Sequence, residues 1–140
     1  MGAAENKKLL QHVFAELAKG NSSPLVEAMD DDFSWTITGA TPWSRKYSGK
    51  QAVLKELFGA LRAKLAPPIT TTAHRIIAED DYVVVEARGK NTTHDGVPYN
   101  NTYCYVFRVE DGRLLEITEY LDTELVTSAL GDPPSGSSQR

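Results

Sequence analysis

Three short polar breaks divide the second half of the chain at nearly even spacing. Asp80-Asp81, Asp95-Gly96 and Asp111-Gly112 separate four stretches rich in β-branched and aromatic residues: Ile69–Glu79, Tyr82–Thr92, Tyr99–Glu110 and Arg113–Asp122. Connections this short join antiparallel neighbours, because a parallel return needs a crossover of a dozen or more residues. The half is therefore predicted to be a four-strand meander.

The first half is helical, with one strand. Leu10, Val13, Phe14 and Leu17 recur at helical spacing over 6–19, and Gly20 follows. Ser23 as N-cap and Pro24 as first residue predict a second, short helix to about Met29. Phe33, Trp35 and Ile37 alternate with Ser34, Thr36 and Thr38, so FSWTIT reads as a strand. A loop, GATPWSRKYSG, leads to a capping box of Ser48 and Gln51. The helix beyond it carries one stripe, Val53, Leu54, Leu57, Phe58, Leu61 and Leu65, and stops at Pro67-Pro68. Asp122 or Thr123 would cap a last helix to about Leu130. The order implies an α+β fold: a curved antiparallel sheet with helices packed on one face. Residues 1–5 are expected to be a flexible N-terminus, 6–130 one domain, and 131–140, which reads DPPSGSSQR after Gly131, a disordered tail.

Composition narrows the function classes. Hydrophobic residues make up 41% and charged residues 24%, the balance of an ordinary globular domain. A net charge of -4 with scattered Lys and Arg points away from nucleic acid. Apolar runs are too short for a transmembrane helix, so no membrane partner is expected. The N-terminus has charges where a signal peptide needs an apolar run, and Cys104 is alone, which suits a cytoplasmic location. No Cys/His or paired-His spacing suggests a metal, and no cofactor is expected.

The most unusual residue is Glu119. In LLEITEYLDT it shares a row with Leu115, Ile117 and Leu121, and a carboxylate on an apolar face costs free energy unless it is paired. A type I turn with a Gly112 bulge would pair Val109 with Arg113, setting Phe107 opposite Leu115, Tyr105 opposite Ile117 and Tyr103 opposite Glu119. The alternative two-residue turn mixes apolar with charged residues, and the first is preferred. A two-residue Asp95-Gly96 turn would pair His94 with Val97, Arg88 with Tyr103 and Glu86 with Tyr105. One face would then carry Val84, Glu86, Arg88, Tyr103, Tyr105, Phe107, Leu115, Ile117, Glu119 and Leu121. Apolar walls with a few fixed charges are the makeup of a small-molecule pocket. The other face, with Val83, Val85, Ala87, Cys104, Val106, Thr118 and Tyr120, is apolar enough to meet a second copy, so a homodimer through the sheet is expected. Trp35, Trp43, Tyr47 and Phe14 are placed in the pocket or the core, and the face of His74 stays open.

The stretches WTITGATPWSRKYSGKQAV and DYVVVEARGKNTTHDGVPYNNTYCYVFRVEDGRLLEITEYLDT resemble the SnoaL-like group of the nuclear-transport-factor-2-like superfamily, from about Asn6 to Leu130. That superfamily also holds ketosteroid isomerase, limonene-epoxide hydrolase and scytalone dehydratase. The resemblance implies a cone-shaped, cystatin-like α+β architecture with the N-terminal helices over the concave face of the sheet, and dimers through the sheet. The steroid isomerase base would fall near Thr36 and its oxyanion acid near Tyr105, so that mechanism is not expected. The charged set of the epoxide hydrolase would fall on Glu86, Arg88 and Glu119, with the first two charges exchanged. The carboxylate of the polyketide cyclases would fall on Glu119, and a dehydratase reading would need His74. The expected site is thus Glu119 with Arg88 and Glu86 as catalytic candidates, and Tyr103, Tyr105, Trp35, Phe14, Ile117, His74 and Trp43 as substrate-binding candidates. Two functions remain open: a cofactor-independent isomerase, cyclase, dehydratase or epoxide hydrolase acting on a small, largely apolar molecule, or a non-catalytic dimeric module binding a hydrophobic ligand.

Overall fold

A computed structural model of the chain describes residues 2–134. The elements follow in the order α1 (Ala3–Leu17), α2 (Ser23–Ala28), β1 (Met29–Ile37), β2 (Lys46–Ser48), α3 (Lys50–Ala52), a π-helical segment (Val53–Phe58), α4 (Gly59–Lys64), β3 (Thr71–Glu79), β4 (Tyr82–Gly89), β5 (Thr102–Glu110), β6 (Arg113–Leu121), α5 (Thr123–Leu125) and a second π-helical segment (Val126–Leu130). The strands form one curved, open sheet in the order β2-β1-β6-β5-β4-β3. The fold is α+β as expected. One pair departs from the antiparallel expectation, since β1 lies parallel to β6.

Local chemistry explains the boundaries. Glu5 closes the start of α1 by accepting from Gly2 N at 3.1 Å, so the helix begins before the apolar stripe does. Asp122 caps α5, its Oδ1 accepting from Glu124 N and Leu125 N. Ser48 is the last residue of β2, and Gly49 occupies the N-cap of α3 with no side-chain cap. Ser22, not Ser23, is the N-cap of α2. The expected tail reaches past the described residues from 135 onward.

The helices cover one face of the sheet. α1 packs across β3 and β4, and α3 meets β1. The core between them includes Leu10, Val13, Phe33, Leu57, Val83, Val85, Phe107, Leu114 and Ile117, all at most 1% exposed. Burying a side chain of this size is worth about 1.5–3 kcal/mol relative to leaving it in water, so this layer holds the helices to the sheet.

Two hairpins fold differently from the expected register. Between β4 and β5, Thr93 N donates to Val97 O and Tyr99 N to Asn91 O, so three residues, not two, turn the chain. Val85 then faces Tyr105, Ala87 faces Tyr103, and Glu86 faces Cys104. A shift of one residue reverses every side chain on a strand. The inner row of β4 is therefore Val83, Val85 and Ala87, all 0% exposed, and Glu86 and Arg88 lie on the outer face. Between β5 and β6 the turn is the two-residue one: Glu110 pairs with Arg113, and Asp111 and Gly112 have φ of 51° and 74°. The register then shifts between Arg108 and Val109, leaving Leu115 unpaired in a bulge. That bulge removes the mixing of apolar and charged residues that argued against this turn. Phe107 faces Ile117, Tyr105 faces Glu119 and Tyr103 faces Leu121.

Candidate functional site

β5 and β6 present their inner rows to the helices, and Glu119 stands in that layer. Its backbone is fixed, since Thr38 N and Thr38 Oγ1 both donate to Glu119 O, at 3.1 and 3.0 Å. Its side chain is 7% exposed. Trp35, on the neighbouring strand β1, donates from Nε1 to Glu119 Oε1 at 2.7 Å. No other side chain among the described residues hydrogen-bonds this carboxyl, and the ion pairs among them all lie elsewhere. Burial pushes the Glu119 carboxyl from 4.5 up to about 7, and the Trp35 hydrogen bond opposes that rise only in part.

The carboxyl opens on a cavity of about 510 Å³ between the sheet and the helices. Its walls are mainly apolar: Phe14, Leu25, Leu57 and Phe58 come from helical segments, Trp43 from the loop between β1 and β2, and Trp35, Tyr105, Phe107 and Ile117 from the sheet. The aromatics brace one another. Trp35 meets Phe58 edge-on with centroids 5.6 Å apart and Tyr105 edge-on at 6.3 Å, while Tyr103 stacks on Tyr105 at 5.1 Å. Trp43 is tied to the end of the last helical segment, its Nε1 donating to Gly131 O at 2.7 Å.

At one end of the cavity a polar frame holds the strand ends. Asn101 is fully buried; its Nδ2 donates to Tyr99 Oη at 3.0 Å and to Asp122 O at 3.1 Å, and its Oδ1 accepts from Thr102 N and Asp122 N. Asn91 bonds both backbone groups of Thr70. Burial pushes the Tyr99 hydroxyl up to about 12 and those of Tyr103 and Tyr105 well above 10. All three stay protonated near neutrality, so each can serve as a hydrogen-bond donor.

The structure brings together Glu119, Tyr103, Tyr105, Trp35, Phe14, Ile117 and Trp43 around the cavity. Three expected residues stand apart. Arg88 is exposed on the outer face, Glu86 pairs there with Arg75 at 2.8 Å, and His74 is exposed at the irregular point of β3 between Ala73 and Arg75. The first two were displaced by the three-residue turn; for His74, alternation fails at the bulge. Tyr99 and Asn91 line the cavity without having been singled out. Continuing the row Phe107, Tyr105, Tyr103 backwards through Asn101 reaches Tyr99, which was the available signal. Among the described residues no group of three or more His, Cys, Asp or Glu could hold a metal ion. No helix among them is long and apolar enough to cross a membrane.

The folded chain is similar to several solved structures. A proposed isomerase from Bacillus subtilis superposes with a TM-score of 0.76 at 20% identity, covering 94% of this chain and 96% of that one. A proposed SnoaL-like polyketide cyclase from Jannaschia sp. CCS1 gives 0.74 at 17% identity, over 94% and 95%. An LEH-like epoxide hydrolase from M. tuberculosis gives 0.69 at 19% identity, over 91% and 90%. At these identities the likeness is one of fold. No curated protein matches the chain in sequence. The family model of the SnoaL-like domain matches residues 10–117, most of the chain and nearly all of its sheet. The chain therefore belongs to the SnoaL-like family.

Proposed function

We propose that this chain takes a small, largely apolar molecule into the cavity and moves a proton on it, with Glu119 as acid and base. The observation that carries the reading is a carboxyl buried among aromatic rings, held by one Trp35 hydrogen bond and by no cation among the described residues. A carboxyl near pH 7 in its affinity for protons suits transfer in either direction. In the ionised form it would take the proton from a carbon beside a carbonyl, and then return that proton to a second carbon. A tyrosine hydroxyl, of Tyr99 or Tyr103, would donate to the carbonyl oxygen as it gains charge. Isomerisation, cyclisation and dehydration through an enol share this demand, and names of that kind attach to two of the similar structures. Epoxide hydrolysis by a carboxylate pair and an arginine is less well supported, because Glu86 and Arg88 face outward. The working unit proposed is a homodimer joined through the outer face of the sheet.

The test is α-proton exchange of a small cyclic ketone, 1-tetralone, followed by NMR in heavy water. The wild type should accelerate exchange over buffer, with the rate rising through about pH 7. Glu119→Gln should lower it by about 10²–10⁴-fold while the circular dichroism spectrum is unchanged. An exchange rate indifferent to that substitution overturns the acid–base role. Ketone binding without exchange favours the second reading, a non-catalytic module for a hydrophobic ligand, which the mainly apolar walls also fit.

A further inference from the structure

The two charged groups of the cavity differ in burial. Glu119 and the tyrosine hydroxyls belong to its buried part, whereas the exposed lining residues, Gly20, Ser22, Arg62, Pro67 and Pro68, mark its rim. Arg62 is the only Lys, Arg or His among the described lining residues, and Glu119 the only Asp or Glu. The Arg62 guanidinium forms no ion pair or hydrogen bond among the described residues. Its backbone is held: Arg62 O accepts from His94 Nε2 at 3.0 Å, and His94 N donates to Lys64 O at 3.0 Å. The cation thus rides on the last turn of α4 at the mouth of an apolar cavity, with no acid among the described rim residues to neutralise it.

We infer that the site selects a small apolar carboxylic acid, which enters ring-first and leaves its carboxylate on Arg62. The inference rests on the proposed use of the cavity. A guanidinium fork matches a carboxylate in two parallel hydrogen bonds, and a rim position lets both ions keep part of their water. The opposite orientation would bring the carboxylate against Glu119 in a poorly solvated space, where like charges repel strongly. Orientation follows: the carboxylate stays outside, and the carbon to be deprotonated lies deep, at Glu119.

The experiment compares 2-naphthoate with its neutral isostere 2-naphthamide by calorimetry, for the wild type, Arg62→Gln and Arg62→Glu. The wild type should bind the acid about tenfold more tightly than the amide, the gain of one charge-assisted bidentate contact at a wet rim. Added salt should weaken acid binding and leave amide binding unchanged. The preference should vanish in Arg62→Gln and invert in Arg62→Glu, with amide binding intact in both as proof of folding. Equal binding of acid and amide by the wild type, or a preference that survives Arg62→Gln, overturns the acid selection while leaving the cavity reading standing. A chain that binds neither compound overturns both.

Discussion

Glu119 makes the folded state sensitive to pH in a definite direction. Its carboxyl binds a proton up to about pH 7 when folded, against 4.5 for an ordinary glutamate. Below about 4.5 both states are protonated, and above about 7 both are ionised, so neither range changes stability through this group. Between them the folded state holds the extra proton, and stability falls as pH rises. The gap from 4.5 to about 7 corresponds to about 3 kcal/mol. Glu119→Gln keeps an oxygen for Trp35 Nε1 and removes the titration. Urea unfolding at pH 5 and pH 8 should therefore show the wild type losing about 2.5 kcal/mol more than the variant across that interval, the remainder of the gap being lost below pH 5. Parallel losses in the two proteins would mean that Glu119 is not buried as described. The residue was legible in the sequence because one acid interrupts a row of Leu115, Ile117 and Leu121. Its partner was not legible. Trp35 reaches it through a parallel pairing of β1 with β6, between residues 84 apart in sequence.

At the scale of elements, the order of strands and helices was readable, but the faces of the strands depended on turn length. Asp95-Gly96 marks a turn correctly without saying whether two or three residues close it. One extra residue moved Glu86 and Arg88 to the outer face and brought Val83, Val85 and Ala87 inside. The apolar character of Val83, Val85 and Ala87 was visible in sequence, yet both rows of β4 contain valine, so hydrophobic pattern alone could not break the tie. At β6 the bulge at Leu115 restored the match that the simple two-residue turn lacked, and no local signal marks a bulge at a leucine. Beyond the hairpins, the short strand β2 was hidden inside a loop because KYS lacks a visible alternation. The register has a direct test. Arg88→Ala and Glu86→Gln remove only exposed or half-exposed groups, so each should change unfolding free energy by no more than about 0.5 kcal/mol. Ketone exchange should remain at the wild-type rate in both. A loss of exchange comparable to that of Glu119→Gln would place these side chains inside the cavity and refute the three-residue turn.

For the whole molecule, the dimer proposal rests on the outer face of the sheet. Ile77, Tyr82 and Tyr120 are 54%, 46% and 50% exposed, and all three lie on the face away from the helices. Val84, Val106 and Thr118, half-buried, run between them on the same side. Single exposed apolar residues are ordinary, whereas a contiguous group on one sheet face favours a partner. A twofold axis across the sheet would pair this patch with itself, so that one substitution acts twice in the interface. Tyr120→Glu would then place a charge from each copy near the other in a desolvated contact, which opposes association. Sedimentation equilibrium should return twice the chain mass for the wild type and a single chain mass for Tyr120→Glu. Because Tyr120 and Glu119 point to opposite faces of β6, the monomeric variant should keep its cavity and still bind naphthamide. A wild type that sediments as one chain at every concentration would end the dimer proposal and leave the exposed patch a feature of the monomer.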